Sequence, residues 1–238
     1  MKTTLTIAQR EFASFFRTPL GWVVMALFLL LSGFVFARFA LQPGMPASMR
    51  DFFTLWWRIL VVITPAISMR LFSEEHRAGT IDPLLSAPAG ELSVVLGKYL
   101  GALCFLIACL APTLVYAAVL MILSNPDPGP ILAGYLGVVL LGMLQLALGV
   151  LASLYTSSQT LAFLSTLFIL VGVEFTATSL ASAAPAPWDG VLLGLSTDLR
   201  IADFAKGVID TSHIAYFLIA SGWLLSLATL ALRARRWR

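Results

Sequence analysis

Six apolar runs, most of them about 20 residues long, dominate this sequence, and a helix of that length crosses the hydrocarbon core of a bilayer. They lie at residues 20–41, 52–67, 97–123, 131–154, 161–183 and 214–232. The second run is the shortest and contains Arg58. Hydrophobic residues make up 59% of the chain, compared with roughly 45–50% in soluble domains. We therefore predict an all-α integral membrane protein with six transmembrane helices.

The connections between the runs are short and carry the residues that break helices. Proline-rich stretches occur at 42–46 (QPGMP), 125–130 (NPDPGP) and 183–187 (AAPAP). No connection is long and polar enough to form a soluble domain of its own. We predict a single membrane domain over residues 1–238.

The basic residues predict the orientation of this domain. With the N-terminus inside, ten of the 15 Lys and Arg residues fall on the cytoplasmic side, which is the side that such residues prefer. Both termini and residues 69–88 are then expected to be cytoplasmic. Because the basic residues cluster at span ends and form no continuous face, the sequence does not predict nucleic-acid binding.

The N-terminal segment has an apolar face and a polar face at helical spacing. The apolar side chains are Ala8, Phe12, Phe15 and Phe16, and the polar ones are Gln9, Arg10 and Arg17. This pattern predicts a helix in the membrane interface over about residues 5–18, with Pro19 at the turn into the first span. The alternative is a frayed cytoplasmic tail.

The last outer connection, at 183–212, mixes apolar and charged residues and predicts one or two short amphipathic helices. Two interpretations stay open for them. They seal the outer mouth of a transport pathway, or they form a structured but passive loop.

The densest charge cluster of the chain lies in residues 69–88, MRLFSEEHRAGTIDPLLSAP, although only 11% of all residues are charged. Ser73 followed by Glu74, Glu75 and His76 predicts a short helix with Ser73 as its N-cap and acidic residues in its first turn. Gly79 permits a sharp turn, and Thr80 is expected to cap a second short helix at 81–86.

On that second helix the side chains of Leu84 and Leu85 have no core to enter, which indicates docking into a partner. The alternative is a charged loop that rests on lipid headgroups.

The run 69–88, continued by ELSVVLGKYLGAL, resembles the permease subunits of ABC-2 type transporters. In that family a pattern close to M-R-x-F-x-E-E-[RK]-x-x-G-T-[IL]-[ED]-x-L-L-[ST]-x-P follows the second span. The six-span layout, the segment REFASFFRTP and the segment LSTDLRIADFAKGVID are also similar to this family. The likeness is greatest to permeases associated with gliding motility and with nitrous-oxide-reductase maturation. Pro83 and His76 depart from the pattern.

The resemblance implies that this segment is a cytoplasmic coupling segment, at about residues 70–88 and between spans 1–2 and spans 3–4, that docks on a separate ATPase. The implied contacts are Glu74, Glu75, Arg77, Gly79, Thr80, Ile81 and Asp82, with Leu84 and Leu85 as an apolar plug. The implied partners are a dimer of ABC ATPase subunits, an identical or different second permease subunit, and the lipid of a bacterial cytoplasmic (inner) membrane. An extracytoplasmic auxiliary protein is a further candidate partner.

The chain itself is not expected to be an enzyme. It has no G-x-x-x-x-G-K-[ST] phosphate loop, since Gly97 and Lys98 are followed by Tyr99 and position 92 is leucine. It also lacks the H-E-x-x-H and G-x-S-x-G motifs of metal-dependent and serine hydrolases. We therefore expect no metal and no directly bound cofactor, with ATP and Mg²⁺ on the partner subunit.

Two charged residues, Arg58 and Glu174, fall inside predicted spans, and such residues are functional candidates. We predict that they form an ion pair or share a water-filled cavity; alternatively, Arg58 extends to the interface beside Trp56 and Trp57. Gln145 lies among four glycines suited to close helix packing, either at a dimer interface or within the chain.

The function that the sequence favours is the membrane subunit of an ABC exporter, or of an ATP-driven machine that transmits force across the bilayer. The alternative is a polytopic membrane anchor or assembly protein without transport activity.

Overall fold

The computed structural model describes residues 2–40, 48–80, 90–123, 126–181, 183, 185 and 188–236, and all regular secondary structure in these ranges is helical. The helices are α1 (Lys2–Arg17), α2 (Pro19–Val35), α3 (Arg50–Thr54), α4 (Trp56–Ser68), α5 (Ser73–Ala78), α6 (Glu91–Leu110), α7 (Leu114–Leu123), α8 (Pro128–Leu154), α9 (Gln159–Phe175), α10 (Trp188–Leu193), α11 (Thr197–Ala205) and α12 (Thr211–Arg236). A π-helical turn extends α2 over Phe36–Ala40 and another extends α9 over Thr176–Leu180, while a 3₁₀ turn at Ala111–Thr113 joins α6 to α7. The predicted all-α class is confirmed.

Within the described residues, five stretches of helix are long and apolar enough to cross a membrane: Pro19–Ala40, Glu91–Leu123, Pro128–Leu154, Gln159–Leu180 and Thr211–Ala234. Each overlaps one of the predicted spans. The remaining predicted span, at 52–67, corresponds to α3 and α4. Helix α4 has 13 residues and is about 20 Å long, which is less than the ~30 Å hydrocarbon core. A sixth membrane crossing therefore stays a prediction.

Helix α8 lies at the centre of the fold, where α4, α6, α9, α11 and α12 pack against it. Four of its glycines make this packing possible, because a Cβ at any of them would lie within 3 Å of a neighbouring side chain. The contacts are Phe53 on Gly134, Phe204 on Gly137, Leu106 on Gly142 and Ser68 on Gly149. Gln145, between them, is buried and accepts a hydrogen bond from Thr64 Oγ1 at 2.9 Å. This small-residue stripe packs within the chain.

Helix α1 begins and ends close to the predicted bounds of the interfacial helix. It ends where Thr18 takes an extended conformation, as the residue before a proline prefers. Pro19 then starts α2, where its missing N–H costs no hydrogen bond. Helix α1 packs along α6, and its contacts include Ile7 on Gly97 and Glu11 on Gly101.

The two ends of α12 define the two ends of the helix bundle. Near its last turn Arg233 lies 3.8 Å from Glu91, in the first turn of α6. We call this the α1 end, because α1 packs on the first half of α6. Near its first turn His213 contacts α11, and we call this the α11 end. The N-terminal helix and the last turns of the C-terminal helix therefore lie at the same end.

The connection at 183–212, which we call the outer connection after its predicted side, contains two short helices, α10 and α11, as predicted. Helix α11 buries Ile201, Phe204 and Ala205 against the bundle. Before α8, Asp127 Oδ1 accepts a hydrogen bond from the backbone N–H of Gly129 at 3.0 Å, which caps the start of that helix. The connection at 42–46 lies outside the described residues.

Candidate functional site

We refer to residues 69–88 as the charged segment. It leaves α4 through a tight turn at residues 69–72 and continues as α5. Ser73 does not cap α5 as predicted. It is the first residue of the helix, and its hydroxyl donates to the carbonyl of Met69. The turn after α4 is itself close to helical, since Met69 has φ −54° and ψ −30°. The Ser73 hydroxyl therefore bonds back to the preceding turn.

Gly79 ends α5, as the sequence predicts. Its φ is +67°, a left-handed conformation that glycine adopts without strain. The N–H of Gly79 donates to His76 O at 3.3 Å, and the N–H of Thr80 donates to Glu75 O at 3.0 Å. This pair of bonds satisfies the free carbonyls at the helix end. Gly79 thus redirects the chain at the end of α5.

The predicted coupling contacts fall into two groups. Glu74, Arg77, Gly79 and Thr80 are exposed at the α1 end, and Glu75 is half-buried. Ile81, Asp82, Leu84 and Leu85 lie outside the described residues, together with Pro83 and the predicted helix at 81–86. The structure therefore describes the first part of the charged segment, residues 69–80.

A buried lysine connects this first part of the charged segment to the helix bundle. Lys98 in α6 is 3% exposed, and its Nζ lies 2.9 Å from Glu11 Oε1 and 2.8 Å from Glu75 Oε1. The ammonium group also lies 5.2 Å from the centre of the Phe72 ring. We refer to Glu11, Glu75 and Lys98 as the Lys98 cluster. It joins α1, α5 and α6 through one cation.

The sequence did not predict this role for Lys98, which follows Gly97 in a segment that only resembles the end of a phosphate loop. The available signal was a lysine about two turns inside an apolar helix, where an unpaired charge is costly. Its two partners are 23 and 87 positions away in the chain. No local pattern identifies contacts at such separations.

The Lys98 cluster holds Glu75 in a partly desolvated site. Burial raises the pKa of the Glu75 carboxyl above its ordinary value, while the ammonium of Lys98 acts in the opposite direction. Glu75 Oε2 is buried and accepts no hydrogen bond from the residues that the structure describes. One oxygen of this carboxylate is therefore paired and the other is unsatisfied.

Arg70 makes a second connection between the charged segment and α1. It is buried, and its guanidinium donates to Thr18 Oγ1 at 2.7 Å and to Ser14 Oγ. The same group lies 4.3 Å from the centre of the Phe15 ring. Helix α1 and the charged segment are thus held together at two points.

An open polar cleft of about 530 Å³ lies between α1, the charged segment and α6. Side chains of both signs line it, among them Arg10, Arg70, Glu74 and Lys98. The cleft lies at the α1 end, next to the exposed residues of α5. It is suited to receiving polar side chains.

At the opposite end, Glu174 is a helix cap. Its carboxylate is 5% exposed and accepts hydrogen bonds from Ser196 Oγ (2.7 Å), Thr197 Oγ1 (2.6 Å), Thr197 N (3.0 Å) and Asp198 N (3.4 Å). These donors form the start of α11, where a negative charge is favoured by the helix dipole. Glu174 therefore ties the end of α9 to the outer connection.

Arg58 lies near the same helix but is exposed, with its guanidinium 5.9 Å from the centre of the Trp57 ring. Among the ion pairs between described residues, none within 4.0 Å joins Arg58 to Glu174. Both act on Asp198: burial and Glu174 raise the pKa of its carboxyl, and Arg58 lowers it. Direct pairing of Arg58 with Glu174 stays a prediction.

A second polar cluster, which the sequence did not indicate, ties α11 to α12. Arg200 donates to Gly194 O at 2.6 Å, contacts His213 Nδ1 at 2.9 Å and lies 3.9 Å from the centre of the Tyr216 ring. His213 Nε2 lies 3.2 Å from Asp203 Oδ2. The outer connection is thus fixed to both α9 and α12.

Comparison with known families adds one match. The family model described as ABC-2 family transporter protein matches residues 8–182, which is well over half of the chain. The match includes α1 from residue 8 onward, the charged segment, the Lys98 cluster and Glu174. No curated protein matches the chain.

Proposed function

This chain belongs to the ABC-2 family of transporter proteins, and from that premise we propose that it is the permease subunit of an ABC transporter whose ATPase is a separate polypeptide. ATP and Mg²⁺ bind to that ATPase. Its movement is transmitted to the spans and drives export or force transmission across the membrane. The narrower likeness to gliding-motility and nitrous-oxide-reductase-maturation permeases stays a prediction.

The observation that carries this proposal is the rigid attachment of the exposed α5 surface to the bundle. Glu74 and Arg77 are exposed at the α1 end, while Glu75, from the same short helix, pairs with Lys98 inside α6. Helix α6 continues with α7 as one span over Glu91–Leu123. A force applied to α5 is therefore passed to a membrane span through an ion pair that is largely shielded from water.

Helix α1 is part of the same mechanical unit. Arg70 donates to the Ser14 hydroxyl of this helix, and Glu11 shares Lys98 with Glu75. An ATPase that contacts α5 consequently moves the N-terminal helix as well. This arrangement supports coupling more than simple anchoring, because an anchor does not require a rigid path from its surface to its spans.

The proposed topology places the α1 end in the cytoplasm of a bacterium and the α11 end outside the cytoplasmic membrane. Both termini are then cytoplasmic. Two copies of the permease, or this chain with a different permease, assemble with two ATPase subunits. The outer connection at the α11 end is the surface for an extracytoplasmic partner.

Co-expression of the chain with the ABC ATPase encoded beside it tests the proposal. We expect the two proteins to co-purify, and we expect Arg77→Glu to weaken the complex by roughly tenfold if one interface ion pair is lost. The matched control is Arg50→Glu, an exposed arginine in α3 at the other end. A chain that inserts into the membrane but binds no ATPase would support the membrane-anchor alternative.

A further inference from the structure

A pocket of about 240 Å³ lies between the outer helices α9 and α12. Helix α9 packs on α4 and α8, and α12 packs on α8, so these inner helices form its back wall. Its lining includes Val61, Leu148, Val173, Ala220 and Trp223. The pocket is separate from the Lys98 cluster and lies within the apolar stretches that can cross a membrane.

The interior of this pocket is apolar even though Gln145, Glu174 and Tyr216 border it. Gln145 Oε1 accepts a hydrogen bond from Thr64, and the Glu174 carboxylate is bonded to the start of α11. The Tyr216 hydroxyl donates to Leu195 O at 3.1 Å. A buried water needs two to four polar partners, and the oxygens of these three side chains are already bonded to other groups. Trp57 Nε1 is buried in the same lining without a partner among the described residues, and one donor alone does not hold a water. The pocket therefore favours a hydrocarbon ligand.

The mouth of the pocket opens sideways, toward the lipid. Ile169 and Val173 are each 44% exposed and Trp223 is 63% exposed, although all three line the pocket. They lie on α9 and α12, whose outer surfaces are apolar and belong to candidate membrane spans. A hydrocarbon chain that leaves the bilayer reaches the pocket without crossing water.

The size of the pocket limits what it can hold. Its volume is below the ~300–1,000 Å³ of pockets that enclose drug-sized ligands and above the ~150 Å³ cavity that accepts benzene. Along α12 it extends from Tyr216 to Leu224, about 12 Å at ~1.5 Å per residue. These dimensions fit one elongated chain better than a bulky ring system.

We propose that this pocket binds one acyl chain of a membrane phospholipid, inserted between α9 and α12. The phospholipid is the hydrocarbon source that the mouth faces. Its acyl chain buries apolar surface against both helices and occupies the space between them. This inference does not depend on coupling to an ATPase.

The test uses the full chain in vesicles of phosphatidylethanolamine and phosphatidylglycerol that contain a trace of phosphatidylethanolamine with a diazirine on its acyl chain. After illumination, mass spectrometry locates the labelled residues. We expect label at Val173 and Trp223 to exceed label at Ile122, an exposed residue outside the pocket, by roughly tenfold. Ala220→Trp fills the pocket and is expected to reduce this label to the level of Ile122.

The matched control is Ala215→Trp, the same substitution at an exposed position of the same helix, which is expected to leave the labelling unchanged. Val173→Trp fills the pocket from the opposite wall and replaces Ala220→Trp if that variant does not fold; its label is read at Trp223. Equal labelling of the pocket and of Ile122 contradicts the proposal, as does pocket labelling that survives both filling variants. Labelling by a diazirine fatty acid but not by the phospholipid also contradicts it.

Discussion

Lys98 Nζ lies 2.8 Å from Glu75 Oε1, and this contact connects the charged segment to the interior of a membrane span. Glu75 belongs to the six-residue helix α5, which has little buried surface of its own. Lys98 is one of the most buried charged residues in the described part of the chain. The pair therefore fixes the direction in which α5 presents its exposed residues.

Replacing Lys98 tests how much this contact stabilises the fold. Lys98→Met leaves Glu11 and Glu75 close together without their shared cation, and removing one partner of a buried ion pair costs about 3–5 kcal/mol. We expect a loss near the lower value, because both carboxylates retain some access to water. Thermal unfolding in detergent measures it. The control is Lys206→Met, in an exposed pair with Asp203, which is expected to cost less than about 1 kcal/mol. Equal losses of stability in the two variants would contradict the larger stabilisation expected of the buried Lys98 pair.

The raised pKa of Glu75 predicts a pH dependence. Its folded-state pKa lies above the ordinary value of 4.5 because of burial, so the folded state binds the proton more tightly than the unfolded state. Stability contributed by this group is therefore greatest below pH 4.5 and is lost as pH rises through the folded-state pKa. As pH is raised from 4.5, the unfolding temperature of the wild type is expected to fall relative to that of Glu75→Gln. Glu74→Gln, at the exposed neighbouring carboxylate, is the control, and a parallel course for all three proteins would contradict the assignment.

Gly79 is predicted to be required for its backbone conformation alone. A Cβ at Gly79 meets no atom within 4 Å, but φ is +67°, and an L-residue in this region costs about 1–2 kcal/mol. Gly79→Ala is expected to lower the free energy of unfolding by about 1 kcal/mol and to weaken ATPase binding by redirecting residues after 80. Gly90→Ala, also in open space but at φ −63°, is expected to do neither. Retention of full ATPase binding in Gly79→Ala would exclude a directional role.

Arg70 is expected to resist replacement by lysine. Its planar guanidinium reaches the hydroxyl of Ser14 in α1 and that of Thr18 just after α1, and it covers the Phe15 ring. A single ammonium group cannot reproduce this geometry. We expect Arg70→Lys to cost about 1–2 kcal/mol, the value of one or two lost hydrogen bonds. Arg77→Lys on the exposed face of α5 serves as the control, with an effect within about 0.5 kcal/mol. Thermal unfolding compares them.

Glu174 is predicted to hold the outer connection in place. In Glu174→Ala the amide groups of Thr197 and Asp198 lose their acceptor, and the loss of a cap costs about 1 kcal/mol or more. Hydrogen exchange of these two amides is expected to accelerate by roughly tenfold. Asp189→Ala, in the first turn of α10, is the matched control and is expected to leave them unchanged. Unaltered exchange in Glu174→Ala would show that the cap is dispensable.

The sequence by itself determined the features that depend on neighbouring residues. Long apolar runs predict helices that suit a bilayer, since each side chain there meets hydrocarbon on every side. Pro19 and Gly79 mark a helix start and a helix end, because each restricts or frees its own backbone. The most specific part of the family resemblance also lay in one continuous segment, residues 69–88, and the family match includes it.

The tertiary structure alone decided which charges meet. Glu11, Glu75 and Lys98 come from three separate helices, and Glu174 finds its donors more than 20 residues further along the chain. The sequence identified Glu174 as a functional candidate but did not indicate these donors. Helical periodicity relates a residue to positions three and four away, whereas ion pairs between helices depend on how whole helices pack. The glycines of α8 contribute to that packing by letting Phe53, Phe204 and Leu106 reach its backbone.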